Sequence, residues 1–121
     1  MDVAIFGAAG FVGRNLVDEL TETEHTVYAC DIEPMEYDAS NVEFVEVDIT
    51  DEAAVDSVVS KVDTIAHLAA HPLPASTENP KLNAEINVVG TLNILDAARE
   101  HDVDKVFFSS ASSLVGEAEE V

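Results

Sequence analysis

The sequence predicts an α/β fold: a doubly wound parallel sheet with helices on both faces, strand order 3-2-1-4-5, ending after strand five. Three observations predict it. Short apolar runs alternate with amphipathic stretches along the whole chain, as in a parallel sheet joined by helical crossovers. The first apolar run leads into Gly7, Gly10 and Gly13, and Leu16, Val17 and Leu20 follow at helical spacing. Right-handed crossovers from such an opening set strands one and four side by side, where the winding of the sheet reverses.

Strand one is Val3 to Phe6, apolar at every position, as a strand buried on both faces requires. Helix one runs from about Phe11 to Leu20 and is closed by the acidic stretch Thr21 to Glu24. Strand two is Thr26 to Asp31. A loop, Ile32 to Asn41, carries Pro34 and the acids Glu33, Glu36 and Asp38. Strand three is Val42 to Val47. Thr50 is the expected N-cap of helix two, with Asp51 and Glu52 in its first turn and Ala54, Val55, Val58 and Val59 on its apolar side. Strand four is Thr64 to Leu68, followed by a loop with Pro72, Pro74 and Pro80. Asn79-Pro80 reads as a cap followed by proline at the first helical position. Helix three then reaches about Glu100, with Leu82, Ile86, Val89, Leu92 and Leu95 at helical period. Strand five is Lys105 to Ser110, and Ala111 to Val121 is small, polar and acidic.

A length of 121 residues bounds the chain to one domain, and a hydrophobic content of 47% excludes a disordered one. No apolar stretch approaches the roughly 20 residues of a membrane span, and no basic-then-apolar leader opens the chain. The single cysteine, Cys30, leaves no internal disulfide and suits a reducing, cytoplasmic setting. Twenty-five acids face five bases, a net charge of −20. That balance excludes nucleic acid or an anionic membrane as partners held through a basic patch. The acids are spread rather than clustered. They read as a solvated acidic surface, that of a protein adapted to high salt or simply of an acidic one.

The glycine-rich turn carries the first chemistry. Glycines let the backbone approach a ligand closely. The helix behind them offers unpaired N–H groups and a positive dipole end to a phosphate. A tight turn with no ligand would give the same triplet, so context decides. Strand two ends in Asp31, roughly 20 residues past the glycines, where a Rossmann-type fold places the acid that accepts from ribose hydroxyls. A carboxylate there repels a 2′-phosphate and favours NAD over NADP. Asp48, at the end of strand three, can accept from an adenine amino group or be a loop acid. Leu68, Ala69 and Ala70 are slim enough for a nicotinamide ribose to pass, or they simply pack. Asn87 is a partly buried amide in need of partners. Gly90 inside a helix costs about 1 kcal/mol against alanine, which points to close backbone packing. His67 and His71 fall short of a zinc ligand set, so no metal is expected.

Together these residues resemble the extended short-chain dehydrogenase/reductase family, in its NAD-dependent sugar-nucleotide epimerase and dehydratase branch. The similarity covers nearly the whole chain. It implies that Gly7, Gly10 and Gly13, with the backbone of Phe11 and Val12, face a pyrophosphate. It implies that Asp31 with Ile32 takes the ribose, that Asp48-Ile49 flanks the adenine, and that His67 to Ala70 line the cofactor. Asn87-Val88-Val89-Gly90-Thr91-Leu92-Asn93 matches the family's Asn-x-x-Gly-Thr-x-Asn helix, whose first asparagine supports the active site; a satisfied structural amide is the other reading of Asn87. After strand five, Ser109 is expected beside the cofactor. Ala111 stands where the family usually has its hydroxyl, which leaves Ser110 or Ser112 as candidate catalytic groups. The family's Tyr-x-x-x-Lys pair has no match, since Tyr28 and Tyr37 come early and neither has a lysine four residues on.

The resemblance thus implies the NAD-binding, N-terminal part of an enzyme that acts on a nucleotide sugar by transient hydride transfer. Its full-length protein is expected to be a homodimer, and this part alone is expected to be inactive. An NAD(P)-dependent dehydrogenase or reductase acting on a sugar or another carbonyl compound is the first alternative. A non-catalytic, redox-sensing nucleotide module is the second. Apolar surface is expected beside strand five.

Overall fold

The computed structural model describes residues 1–110. Ten helices and strands and one π-helical turn alternate around a five-stranded parallel sheet: β1 (Asp2–Phe6), α1 (Phe11–Leu20), β2 (Thr26–Asp31), β3 (Val42–Glu46), α2 (Glu52–Val59), β4 (Thr64–His67), α3 (Leu73–Ser76), α4 (Pro80–Ala84), the π turn (Glu85–Gly90), α5 (Thr91–Glu100) and β5 (Lys105–Phe108). The sheet order is β3-β2-β1-β4-β5, as the sequence predicts. In register, β1 sets Ile5 beside Ala29 of β2 and Ala66 of β4, and Phe6 beside Cys30 and His67.

Two cores follow from the two-residue period of the strands. Val3 and Ile5 of β1, with Val27, Ala29 and Ala66, face α1 and bury Val17. Met35 and Tyr37, from the loop after β2, pack on that same side. Ala4 and Phe6, with Cys30 and Ile65, face the other way against Val55, Val58 and Val59 of α2 and Ile94, Ala97 and Ala98 of α5. Phe6, Ile5, Ile65 and Ile94 are wholly buried. Each such side chain contributes about 1.5–3 kcal/mol relative to exposure.

Three local expectations need correction. Helix two is capped by Asp51, whose carboxylate accepts from the Ala54 N–H at 3.2 Å. Thr50 is unavailable because its hydroxyl donates to Asp48 Oδ1 at 2.7 Å. Helix three begins where Asn79-Pro80 predicts, with Asn79 Oδ1 accepting from Leu82 N–H, but it is not uniformly α-helical. The π turn interrupts it, and the buried face beyond is Gly90, Ile94, Ala97 and Ala98. Leu82, Val89, Leu92 and Leu95 keep a helical period on the solvent side, leaving only Ile86 of that set against the core. The proline-rich loop contains a helical turn, α3. At the sheet edge, β5 leaves Phe107 and Phe108 exposed, matching the expected apolar surface.

Surface charge is almost unpaired. Among the described residues, Arg99 forms an ion pair with Asp96 (3.4 Å) and His101 Nε2 is hydrogen-bonded to Asp56 Oδ1 (2.8 Å), both at exposed positions. No helix of the described residues is long and apolar enough to cross a membrane.

Buried His67 is the polar exception in the sheet. Thr91 donates its hydroxyl to the Asn87 carbonyl (2.7 Å), so it accepts from His67 Nε2–H (2.8 Å). This fixes the neutral tautomer and leaves Nδ1 buried and without a partner among the described residues. Burial holds the imidazole pKa below its ordinary 6.5. The unfolded chain takes up a proton there that the folded chain refuses. The stability from a neutral His67 is therefore complete above that pH and is lost as pH falls below it. We expect the urea midpoint to fall from about pH 7 to about pH 5, and to fall less in His67→Gln. Equal slopes in the two proteins would contradict this. We also expect the melting temperature to rise as KCl goes from about 0.1 M to about 1 M, since screening shortens from about 10 Å to about 3 Å. A flat response would mean that self-repulsion of the acidic surface is negligible.

Candidate functional site

The carboxyl ends of β1, β2, β3 and β4 open into a cleft of about 410 Å³. Its floor is the turn after β1. Gly7 has φ +87°, in the left-handed region that disfavours side chains. A Cβ on Gly7 would also lie 2.6 Å from the Ala69 backbone nitrogen, so the turn and the chain leaving β4 meet main chain to main chain. The Gly7 and Ala8 N–H groups both donate to the Cys30 carbonyl (2.9 and 3.1 Å), which joins the turn to the end of β2. Gly13 serves packing: a Cβ there would collide with the Gly7 carbonyl and come within 2.7 Å of Ala8 Cα. The helix can then start hard against the strand.

Gly10 is the N-cap of α1 and makes no side-chain cap. Arg14 is the first residue of α1 whose N–H returns to the cap, donating to the Gly10 carbonyl at 2.9 Å. The N–H groups of Phe11, Val12 and Gly13 are the orphan donors every helix start carries. Phe11 and Val12 are 86% and 59% exposed, so the first turn of α1 is open to solvent.

Asp31 reaches this loop from the end of β2. Its Oδ2 accepts from Ala9 N–H (2.9 Å) and its Oδ1 from Glu33 N–H (3.1 Å). Each oxygen keeps a lone pair for a further donor. Arg14 Nε donates to the Ala9 carbonyl at 2.7 Å, so Ala9 is held through the N–H of one peptide group and the carbonyl of the next. Neighbouring Cys30 is buried, and burial first, then the Asp31 charge, pushes its thiol up to about 12. It is a core residue without thiolate chemistry.

Gly7, Gly10, Asp31, Ile32, Asp48, Ile49, Leu68, Ala69 and Ala70 come together around the cleft. Asp48 Oδ1 is taken by Thr50, through both its N–H (2.9 Å) and its hydroxyl. Asn87 stands behind the wall: its Oδ1 accepts from His71 N–H (2.8 Å) and its Nδ2 donates to the His71 carbonyl (3.3 Å). It is a satisfied amide that fixes the chain after β4. Phe11, Val12 and Gly13 lie outside the cleft lining. Ser109 and Ser110 follow β5 and are exposed, with Ser109 N–H donating to the His67 carbonyl at 3.3 Å. Ser112 lies outside the described residues. No cluster that could hold a metal ion occurs among the described residues.

The cleft also takes Ala9, Glu33, Val47, His71, Pro72 and Ile86, which the sequence reading left out. Ala9 sits inside the glycine turn and His71 directly follows Ala70, so adjacency could have found both. Ile86 had no such signal, because the π turn sets which way it faces.

The chain and its fold are similar to known proteins. The family model described as "NAD dependent epimerase/dehydratase family" matches residues 3–121. The UDP-glucose 4-epimerase of Halalkalibacterium halodurans is 34% identical over 97% of the chain and 36% of its own length. The crystal structure of the Thermotoga maritima UDP-glucose 4-epimerase with UDP-glucose superposes with a TM-score of 0.88 at 30% identity, over 100% of this chain and 41% of that one. The Thermus thermophilus UDP-glucose 4-epimerase complex with NAD superposes with a TM-score of 0.78 at 30% identity, over 88% of this chain and 36% of that one. The chain therefore spans about two fifths of the length of the proteins it matches. It belongs to the NAD dependent epimerase/dehydratase family.

Proposed function

We propose that this chain is the NAD-binding portion of an epimerase or dehydratase that acts on a nucleotide sugar. One observation carries the reading. The glycine turn, through Gly7 and Gly10, the N-cap of α1, meets Asp31 at the β1–β4 switch point, where open α/β sheets bind ligands.

The residues present fit the cofactor. Orphan N–H groups at Phe11 and Val12 suit a diphosphate. Gly7 and Gly10 keep side chains off the loop floor. The Asp31 oxygens, already steadied by Ala9 and Glu33, have capacity left for two ribose hydroxyls. Asp48 Oδ2 has no partner among the described residues and is free to accept from an adenine amino group. Slim Ala69 and Ala70 leave room for the nicotinamide half. Bound NAD would supply the hydride acceptor of the reaction. The chain's own contribution is to bind, orient and keep the cofactor's reactive end next to the exit of β4. Ser110, two residues past β5, and Ser112 are the hydroxyls this reading offers to the substrate. In this reading the remaining substrate contacts come from a further part of the protein, which pairs with itself as a dimer.

Calorimetric titration tests the cofactor assignment. The chain should bind NAD and bind NADP more weakly, because Asp31 repels a 2′-phosphate. Asp31→Ser should lose about ten- to a hundredfold in NAD affinity, the worth of hydrogen bonds to a charged group, and should narrow the gap to NADP. Tighter binding of NADP by the unaltered chain would overturn the assignment.

A further inference from the structure

The helix that holds Asn87 makes a second set of contacts in its other half. Asn93, in the first turn of α5, donates its Nδ2 to the carbonyl of Ile49 at 2.9 Å, across 44 residues of sequence. One turn earlier Gly90 is buried against the same residue: a Cβ there would stand 2.6 Å from Ile49 Cδ1 and Cγ1. Ile49 is itself buried and lines the cleft beside Asp48. It lies in the connection from β3 to α2, whose turn is otherwise closed by its own short bonds, Thr50 N–H to Asp48 Oδ1 and Asp51 N–H to the Asp48 carbonyl (both 2.9 Å). Asn93 of α5 thus gives this turn a donor, and Gly90, at the end of the π turn, gives Ile49 a socket.

We propose that Asn93, together with Gly90, is a positioning residue for the base end of the cleft, holding Ile49 as a wall against which the adenine lies. The proposal rests on the reading that this end takes the adenine of NAD. The helix thus braces two walls at once. Its first half fixes His71 through Asn87, and its second half fixes Ile49 through Gly90 and Asn93. A side-chain amide is suited to this job. It must donate to a main-chain carbonyl that no helix or strand satisfies, and an unpaired carbonyl at a half-buried site is costly. Leucine has the branching of asparagine, is bulkier and has no donor, so Asn93→Leu removes the bond without opening a cavity, and Asn93→Ala removes it without adding bulk.

The test uses the 121-residue chain, its Asn93→Leu and Asn93→Ala variants, and two ligands, AMP and inorganic pyrophosphate. In variants that circular dichroism shows folded, AMP affinity should fall about three- to tenfold, the worth of one hydrogen bond that fixes a wall. Pyrophosphate, which needs only the glycine loop, should bind unchanged. In parallel, the Thr50 and Asp51 amides should exchange hydrogen several-fold faster in both variants, and the Val17 amide of α1 should not change. A parallel loss of both ligands would mean a general loss of structure and overturn the proposal. So would AMP binding and Thr50–Asp51 exchange that match the unaltered chain. If the unaltered chain binds neither AMP nor NAD, the cofactor reading fails on its own. Exchange at Thr50 and Asp51 then decides whether Asn93 holds the turn.

Discussion

The structure depends on one close approach. At Gly7 the chain leaves β1 with a positive φ and lies main chain to main chain against Ala69, where the chain leaves β4. No residue with a side chain fits there, since even alanine would put its Cβ 2.6 Å from a backbone nitrogen. That contact sets the depth of the cleft. It also decides what can follow: Gly13 must lack a side chain so that α1 can seat against Gly7 and Ala8, and α1 then begins at Gly10, its N-cap, on the cleft lining.

The other walls are tied to this floor by named bonds. Cys30 holds the turn through its carbonyl, and its inert thiol belongs to the core beneath. Asp31 reaches the N–H of Ala9 from β2 while Arg14 takes the carbonyl of the same residue. From the far side, the helix through the π turn and α5 grips His71 and Ile49 and meets His67 through Thr91. In a chain with so few cations, Arg14 is spent on positioning the loop. The cleft itself carries three carboxylates, Asp31, Glu33 and Asp48.

The fold was legible because its signals are local. A fully apolar strand, a glycine turn and an acid at the end of the next strand specify the switch point almost alone, and Asn79-Pro80 marks a helix start through cap and ring chemistry. What escaped reading depends on contacts distant in sequence. Thr50 and Asp51 are both competent caps, and the choice was made by Asp48 drawing off the Thr50 hydroxyl. The stripe of Leu82, Val89, Leu92 and Leu95 has the period of a buried face, yet small residues at Gly90, Ala97 and Ala98 let α5 sit closer to the sheet on the other side. The π turn shifts the phase between the two halves of that helix, so a single 3.6-residue period cannot describe both. Of the site, the residues at strand ends could be read directly. Ile86 and the bracing role of Asn93 could not, because neither lies near the glycine loop in sequence.

The most direct measurement is a crystal structure of this chain with NAD. The account predicts diphosphate oxygens within about 3 Å of the Phe11 and Val12 N–H groups, and both ribose hydroxyls of the adenosine donating to Asp31. A dinucleotide bound away from the β1–α1 turn, or an Asp31 carboxylate that still meets only Ala9 and Glu33, would contradict it.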